Sequence, residues 1–418
     1  MRQQVQGGVG RFAKRLVLCS SVPRSFTMQT SSSEAQRALR WLVPPLTEET
    51  HKGQLGRVGV LGGSPDYTGA PFFSGMAALR SGTDLAYIFT AVEAAPPIKG
   101  YSPELMVTPV YSGAWPDGRE RGRKQMVDTV GASLGKLHSL VVGPGLGRDD
   151  DVLHAVEMTL FKAREAGLPV VIDADGLFLL TRRLDAVRGF QNAVLTPNLM
   201  EFKRLWAAVG FADEQRRDRT DGPDGLIKDV ERLASALGHV TVVLKHRHDV
   251  VTDGRRTLIC GEPGGRKRCG GLGDVLSGVL GTTMAWSALA APVGSFRRND
   301  GGSSSSTSGG GIGAGADSGR RSGGGGGGGA STSGGGCEAE GRGAIAEAGD
   351  EPSCIAADDA AGLRLWAAWW ACAISKRATR EAYDSKGRAM SAVDAIERLG
   401  GVVEGLVPAE GRRLSSTE

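Results

Sequence analysis

The sequence predicts an α/β fold, with a mainly parallel sheet covered by helices on both faces. From about residue 46 to residue 292, short apolar runs rich in β-branched residues alternate with helical patterns, and most of these runs end in Gly or Asp. Continuous apolar strands that alternate with helices are typical of a parallel sheet buried on both sides. The chain has 418 residues, of which 40% are hydrophobic and 23% charged. This is enough for one large domain or two ordinary ones.

The first 33 residues have the composition of a targeting segment. They contain five basic residues and no acid, since Glu34 is the first acidic residue. The remaining 45 basic and 46 acidic residues nearly cancel, so the net charge of +4 reflects this segment and does not indicate a nucleic-acid partner. We expect a transit peptide that directs the protein to the mitochondrion or plastid. A disordered basic tail is the alternative, and a start at Met28 would give a cytoplasmic form.

Five apolar runs are predicted to form the core strands. They lie at residues 57–63, 139–147, 169–176, 192–198 and 241–246. In sheets of this kind, ligands bind beyond the carboxyl ends of the strands, where the Gly and Asp residues of these runs lie. The site is therefore expected at that edge of the sheet.

The glycine distribution predicts one domain interrupted by an insert. Of the 64 glycines, 18 fall between residues 301 and 336. A segment of this composition buries almost no apolar surface, so residues 296–357 are predicted to be disordered. Helical patterns resume at 363–382 and 387–399. Since the cost of closing a loop grows slowly with its length, we expect one domain over 46–400, followed by a tail at 401–418.

Cysteine spacing argues against a zinc site, and the length of the apolar runs argues against a membrane-spanning helix. The six cysteines form no CxxC pair and no zinc-binding spacing, so reduced thiols are expected. The longest apolar run, residues 365–374, is too short to span a bilayer and predicts a buried helix.

A glycine-rich turn at residues 269–274 is the sharpest chemical signal. Its sequence is Cys269-Gly270-Gly271-Leu272-Gly273-Asp274, and a helical pattern follows over 275–291. Glycines ahead of a helix leave backbone N–H groups free to face an anion, and the helix dipole adds to this attraction. Asp274 would then take a proton from a hydroxyl that attacks a phosphoryl group. The alternative is a plain turn in which Asp274 caps the helix.

Other strand ends carry weaker signals. The loop 143–149 (GPGLGRD) predicts close backbone approach to a ligand, and Asn198 with Glu201 has the spacing of a helix capping box. Lys245 ends a strand within reach of a phosphate. Residues 131–137 resemble a P-loop with the wrong spacing, and no GxGxxG motif opens a helix after the first strand. His246 and His248 lack the partners of a metal site.

Taken together, these segments resemble the ATP-dependent NAD(P)H-hydrate dehydratases, a branch of the ribokinase-like superfamily with a three-layer fold. The matching pieces are HKG at 51–53, residues 55–85, GPGLGRD, VIDADGL, LTPNLMEFKRL, LKHRHD, CGGLGDVLSGVL and GRAM leading to Asp394. The combination is specific although no single piece is. The resemblance covers about residues 46–292 and 363–400, which are most of the chain that is expected to be ordered.

The resemblance implies repair of hydrated NADH and NADPH. ATP phosphorylates the ring hydroxyl, phosphate then leaves, and NADH or NADPH is restored with ADP and phosphate. It implies Asp274 as the base, and ATP chemistry in general implies Mg²⁺ as a cofactor. The implied substrate-binding residues are Gly145, Gly147, Asn198, Leu199, Met200, Glu201, Phe202, Lys203, Arg204 and Asp274. The implied ATP-binding residues are Lys245, His246, Arg247, His248, Asp249, Gly265, Arg266, Lys267, Arg268, Cys269, Gly270, Gly271, Leu272 and Gly273.

The resemblance also bears on the expected partners and leaves two rival interpretations. An NAD(P)H-hydrate epimerase is expected on a separate chain, and neither nucleic acid nor membrane is expected to bind. The oligomeric state stays open between monomer and homo-oligomer. His246 stands where the family usually has Gly. The first rival interpretation is a hydroxymethylpyrimidine or sugar kinase of the same superfamily, which releases a stable phosphorylated product. The second is a non-catalytic nucleotide-binding regulator on the same scaffold, and the presence of Asp274 in an intact GGLGD turn argues against it.

Overall fold

The computed structural model describes residues 26–28, 32–116, 118–212, 222–290 and 360–407. Its core is one continuous cluster of buried apolar side chains on both faces of a central sheet. In the described part of the chain, no helix has the length and apolarity needed to cross a membrane. The sheet and the two groups of helices around it confirm the predicted α/β class.

The sheet has ten strands, whose order is β1-β10-β9-β8-β7-β6-β5-β2-β3-β4. Their bounds are β1 Phe26–Met28, β2 Arg57–Leu61, β3 Leu85–Ala91, β4 Met106–Tyr111, β5 Ser139–Val142, β6 Val170–Ile172, β7 Ala193–Leu195, β8 Thr241–Leu244, β9 Asp249–Thr252 and β10 Arg256–Cys260. Strands β4 to β8 and their neighbours β2 and β3 pair in parallel, whereas β9 is antiparallel to both β8 and β10. The sheet is therefore mainly parallel, as predicted.

The helices form two groups. Their bounds are α1 Ser32–Leu42, α2 Gly69–Arg80, α3 Ala95–Tyr101, α4 Arg119–Leu134, α5 Asp150–Glu165, α6 Asp175–Leu180, α7 Leu199–Trp206, α8 Gly222–Ala236, α9 Leu272–Ala290, α10 Ala360–Lys386 and α11 Ala392–Leu406. Helices α1, α2, α9, α10 and α11 pack on one another and on the sheet, with α9 crossing β2, β5 and β6. Helices α4 to α7 contact each other in sequence, and α4 and α8 pack on β4, β8 and β9.

The close crossing of α2 and α9 sets the position of the first turn of α9. A Cβ atom added at Gly278 would lie 2.0 Å from the carbonyl oxygen of Ser74, so only glycine allows the two backbones this close. Ser277 Oγ lies 3.1 Å from Ser74 Oγ at the same crossing. This contact holds α9 against α2, with the amino-terminal end of α9 at the carboxyl edge of the sheet.

Several predicted boundaries differ from those observed. The fold begins before residue 46, because β1 pairs with β10 and the Nε1 of Trp370 donates to the carbonyl of Ala35 in α1. Helix α9 begins at Leu272 rather than after Asp274. Helix α11 runs past residue 400 to Leu406, because its apolar face stays buried through that residue. The predicted insert, most of the leader and the end of the tail lie outside the described residues.

Candidate active site

A cavity of about 710 Å³ opens at the carboxyl edge of the sheet. The residues that line it end β3 and β4, follow β2, β4, β5 and β6, or lie on α2, α5, α6 and α9. They are Ser64, Pro65, Asp66, Tyr67, Ala70, Ala91, Tyr111, Gly113, Gly145, Leu146, Gly147, Arg148, Asp149, Val152, Ala174, Asp175 and Asp274. The cavity thus lies where parallel sheets bind their ligands, as the sequence predicts.

The first turn of α9 brings Asp274 to the wall of this cavity. Gly271 precedes the helix with φ +88°, and a Cβ atom there would lie 2.8 Å from the side chains of Phe73 and Ala392. Both the conformation and the space require glycine. The first N–H groups of a helix have no partner within it and suit an anion. The backbone cradle and the carboxylate predicted from residues 269–274 therefore occur in one turn of chain.

Asp274 is poised to change its charge near neutral pH. Burial raises the pKa of its carboxyl group to about 8, and repulsion from Asp173 adds to this effect while attraction to Lys245 opposes it. A general base works best when its pKa lies close to the working pH. The half-buried carboxyl of Asp274 meets that condition.

Lys245 connects Asp274 to two further carboxylates. Its Nζ lies 2.7 Å from Oδ1 of Asp173 and 3.8 Å from Oε2 of Glu201. A Cβ atom built on Gly273 would lie 3.8 Å from this Nζ, so the ammonium group faces the first turn of α9. Burial opposes the charge on Lys245, but attraction to Asp173 and Glu201 outweighs it, and its pKa lies above the usual value. Lys245 is therefore a fixed positive charge beside the proposed anion cradle.

Asp173 holds this lysine in place. Its side chain is 2% exposed, and its Oδ1 accepts hydrogen bonds from Lys245 and, at 2.7 Å, from Thr196 Oγ1. A buried carboxylate is stable in a protein when it is paired and hydrogen-bonded in this way. The pair therefore sets the position of a positive charge next to Asp274.

The GPGLG loop also lines this cavity. Gly145 and Gly147 both line the cavity with positive φ angles, of +61° and +83°. The N–H group of Gly147 donates to Oδ2 of Asp175 at 3.0 Å, and Nε of Arg148 lies 3.2 Å from its Oδ1. One carboxylate after β6 thus fixes the end of the loop after β5.

The first residues of the segment 198–204 cap the start of helix α7. Asn198 Oδ1 accepts from the N–H groups of Met200 and Glu201, and the N–H of Asn198 donates to Glu201 Oε2, which confirms the capping box. The Phe202 ring is fully buried against Trp206, and the role of Phe202 in substrate binding stays a prediction.

Glu201 and Arg204 do reach a cavity. Both line a smaller one of about 110 Å³, which shares Arg148, Ala174 and Asp175 with the larger. Leu199, Met200 and Lys203 line neither, so their role in binding stays a prediction, as does that of Asn198.

The first predicted ATP segment lies beside Lys245 on the turn between β8 and β9. His246, Arg247 and His248 are exposed, whereas Asp249 is 4% exposed. The carboxylate of Asp249 accepts from the N–H of His246 at 2.9 Å and lies 2.9 Å from Nζ of Lys376. Asp249 thus shapes the turn, and its side chain is occupied within the protein.

The second predicted ATP segment packs against the carboxyl-terminal helices. The N–H of Gly265 lies 3.4 Å from Oγ1 of Thr379, and Nζ of Lys267 donates to the carbonyls of Arg388 and Met390. Arg266 and Arg268 are exposed, while the half-buried Cys269 packs on a small apolar cluster around Met390. Exposed Gly270 leads into the turn that continues through Leu272 and Gly273. The contacts of these residues with ATP stay predictions.

Sequence reasoning missed several residues of this site. Asp173 and Asp175 lie in the VIDADGL run, where an acid after a buried strand was the available signal, but no role follows from that position alone. Lys376 joins the first ATP segment to α10 from 127 positions after Asp249. Tyr111 OH donates to the carbonyl of Gly63 at the cavity wall. No sequence spacing indicates such long-range pairs.

The chain is similar in sequence to NAD(P)H-hydrate dehydratases. A family model described as NAD(P)H-hydrate dehydratase matches residues 58–303. The rat protein named ATP-dependent (S)-NAD(P)H-hydrate dehydratase is 45% identical over 254 residues, which span 61% of this chain and 69% of the rat protein. The human protein of the same name is 43% identical over 274 residues, spanning 64% of this chain and 74% of the human protein.

Solved structures show the same fold at low identity. The ADP/ATP-dependent NAD(P)H-hydrate dehydratase of Bacillus subtilis, co-crystallised with ATP and Mg²⁺, has a TM-score of 0.52 at 18% identity and covers 89% of this chain and 97% of its own. A ribokinase-like superfamily protein of Enterococcus faecalis has a TM-score of 0.56 at 18% identity, covering 89% and 95%. The fold is therefore ribokinase-like. Since the family model covers more than half of the chain, the chain belongs to the NAD(P)H-hydrate dehydratase family.

Proposed function

We propose that this protein is an ATP-dependent (S)-NAD(P)H-hydrate dehydratase that restores NADH and NADPH from their hydrates. The observation that carries the proposal is the position of Asp274, in the first turn of a glycine-led helix and at the wall of a cavity of about 710 Å³. A base, an anion cradle and a fixed cation then meet at one point. The similarity to named dehydratases supports the same reaction.

The proposed reaction has two steps. The ring hydroxyl of the hydrate attacks the γ-phosphorus of ATP, ADP leaves, and the Asp274 carboxylate takes the hydroxyl proton. The carbon–oxygen bond then breaks, phosphate leaves, and loss of a proton from the adjacent ring carbon restores the double bond. The N–H groups of the turn at Gly270–Gly273 and the Lys245 ammonium would stabilise charge on the transferred phosphoryl group.

Magnesium fits this site as a companion of ATP. Among the residues that the structure describes, no group of three or more His, Cys, Asp or Glu side chains could enclose a metal ion. Mg²⁺ in ATP-dependent enzymes is held largely by phosphate oxygens and water, with one or two carboxylates. Glu201, whose Oε1 is not used in the capping box, would supply a carboxylate oxygen. The ion would neutralise phosphate charge during transfer.

The purified protein, hydrated NADH and ATP test this proposal directly. We expect the absorbance of the reduced ring to appear together with equal amounts of ADP and free phosphate. A stable phosphorylated product without free phosphate would instead indicate a kinase. The relatives' names specify the S hydrate, so a separate epimerase that interconverts the hydrates would complete the repair.

We further propose that residues 1–33 direct the protein to the mitochondrion or plastid. The segment has basic residues and no acidic ones, which is typical of transit peptides. A fusion of residues 1–33 to a fluorescent protein should enter the organelle, and a fusion with its five basic residues changed to Gln should not. A wholly cytosolic first fusion would contradict the targeting proposal.

A further inference from the structure

The charge pattern of the larger cavity points to one residue. Its described lining includes four acids, Asp66, Asp149, Asp175 and Asp274, and a single cation, Arg148. The hydrates of NADH and NADPH carry a negatively charged pyrophosphate between their two nucleoside halves. A cavity that takes such a substrate needs a positive group to meet this charge.

Arg148 is held in a defined position at the junction of two cavities. It lines both the larger and the smaller one, together with Ala174 and Asp175. Its Nε is paired with Asp175, and its guanidinium carbon lies 4.4 Å from the centre of the Phe178 ring. A cation placed over an aromatic face is attracted to it. These two contacts fix the guanidinium on the rim.

The outer nitrogens of Arg148 remain available to a ligand. Of its donors, only Nε has a hydrogen-bond partner within the described part of the chain, and the side chain is 58% exposed. The planar guanidinium group presents its donors in a fork that matches phosphate oxygens. Arg148 therefore combines a fixed position with free donors.

The neighbouring acids do not prevent an anion from binding there. Asp149 accepts hydrogen bonds at 3.0 Å from the N–H groups of Asp151 and Val152 at the start of α5. Asp175 is bonded to Gly147 and Arg148. These contacts spread the negative charge of both carboxylates over protein donors. The free face of the Arg148 guanidinium is thus the favourable place for a phosphate group.

We infer that Arg148 binds the pyrophosphate of the hydrated dinucleotide and thereby determines the preference for the dinucleotide over substrates that lack a phosphate group. The inference rests on the proposed function. The reacting ring must lie beside Asp274, which lines only the larger of the two cavities. With the pyrophosphate on Arg148 at the junction, the adenosine half extends toward the smaller cavity.

Kinetics with Arg148→Gln and a matched control test this inference. Arg182→Gln is the control, since Arg182 is an exposed arginine that pairs with Asp150 and lines neither cavity. The substrates are hydrated NADH and the hydrate of reduced nicotinamide riboside, which carries no phosphate. For Arg148→Gln we expect KM for hydrated NADH to rise by about 10–100-fold, as is typical of losing a charged hydrogen-bonding group. The KM for the riboside should change by less than about 3-fold.

Other outcomes separate this inference from the proposed function. An equal rise in KM for both substrates would show that Arg148 only shapes the loop, and an unchanged KM for hydrated NADH would also overturn the inference. Arg148→Lys keeps the charge but not the fork, and we expect an intermediate KM that increases with salt. If the unchanged protein forms no NADH from the hydrate and ATP, the proposed function itself fails.

Discussion

Replacing Asp274 by Asn is expected to abolish turnover while making the folded protein more stable above neutral pH. The side chains have nearly the same volume, and Asn keeps the capacity to accept hydrogen bonds at a helix start. The change removes only the proton-accepting carboxylate. Loss of a general base typically lowers the rate by about 10²–10⁴-fold, and we expect kcat to fall by at least this factor. ATP should still bind, since the proposed cradle uses backbone N–H groups.

The stability gain follows from the raised pKa of Asp274. Its pKa is about 8 in the folded protein, mainly because of burial, and about 3.9 in an unfolded chain. Between these values the folded state holds a proton that the unfolded state has lost, so the free energy of unfolding falls as pH rises. The full shift sets an upper limit of about 5–6 kcal/mol at pH 8. Because the carboxyl is only half-buried, we expect about 1–3 kcal/mol.

Two measurements on the same pair of proteins check this prediction. Urea unfolding between pH 5 and pH 9 should give curves for Asp274→Asn and the unchanged protein that separate as pH rises. Turnover of the unchanged protein should increase with pH up to about 8, where Asp274 loses its proton. Comparable turnover in the variant would show that Asp274 is structural. If the difference in the free energy of unfolding between the two proteins did not grow with pH, the pKa of the Asp274 carboxyl would not be raised.

Two further predictions concern the surroundings of the site. Asp173→Asn removes a charge that raises the pKa of Asp274, so the midpoint of the pH profile of kcat/KM should move below pH 8. Thr196→Val is the control: it removes the hydrogen bond that Thr196 donates to Asp173 without changing any charge, and it should leave the midpoint in place. Truncation of residues 1–42 should lower the free energy of unfolding by at least about 3 kcal/mol relative to truncation of 1–25, because it removes the buried Leu39 and Leu42 of α1. Equal urea midpoints for the two truncations would show that α1 adds no stability.

The central strands could be predicted because their signal is local. Strands β5 to β8 each appear as an apolar run that the parallel sheet buries on both faces. β4 lies at the edge of the sheet, is partly exposed and contains Pro109, so its run is not continuous. The antiparallel pair β9 and β10 was missed although Asp253-Gly254 between them is a common hairpin signal.

In the candidate site, too, features that depend on neighbouring residues could be predicted, and contacts between distant residues could not. The glycine turn before Asp274 and the capping box at Asn198 depend on neighbouring residues, and both were predicted. The pairing of Lys245 with Asp173 spans 72 positions, and that of Arg148 with Asp175 spans 27. Such pairs depend on which strands become neighbours in the sheet. A sequence read along one chain does not contain that information directly.

The raised pKa of Asp274 shows which force dominates at the start of α9. An acid in the first turn of a helix is ordinarily stabilised as the anion by the helix dipole, worth about 0.3–1 kcal/mol. Here burial and the neighbouring Asp173 act in the opposite direction and outweigh both the dipole and Lys245. A neutral Asp274 reduces repulsion when the phosphates of ATP approach the turn. The same proton must leave before Asp274 can accept one from the hydroxyl. Phosphate binding therefore favours the neutral carboxyl group, whereas proton transfer requires the carboxylate. A pKa close to the working pH makes both forms accessible.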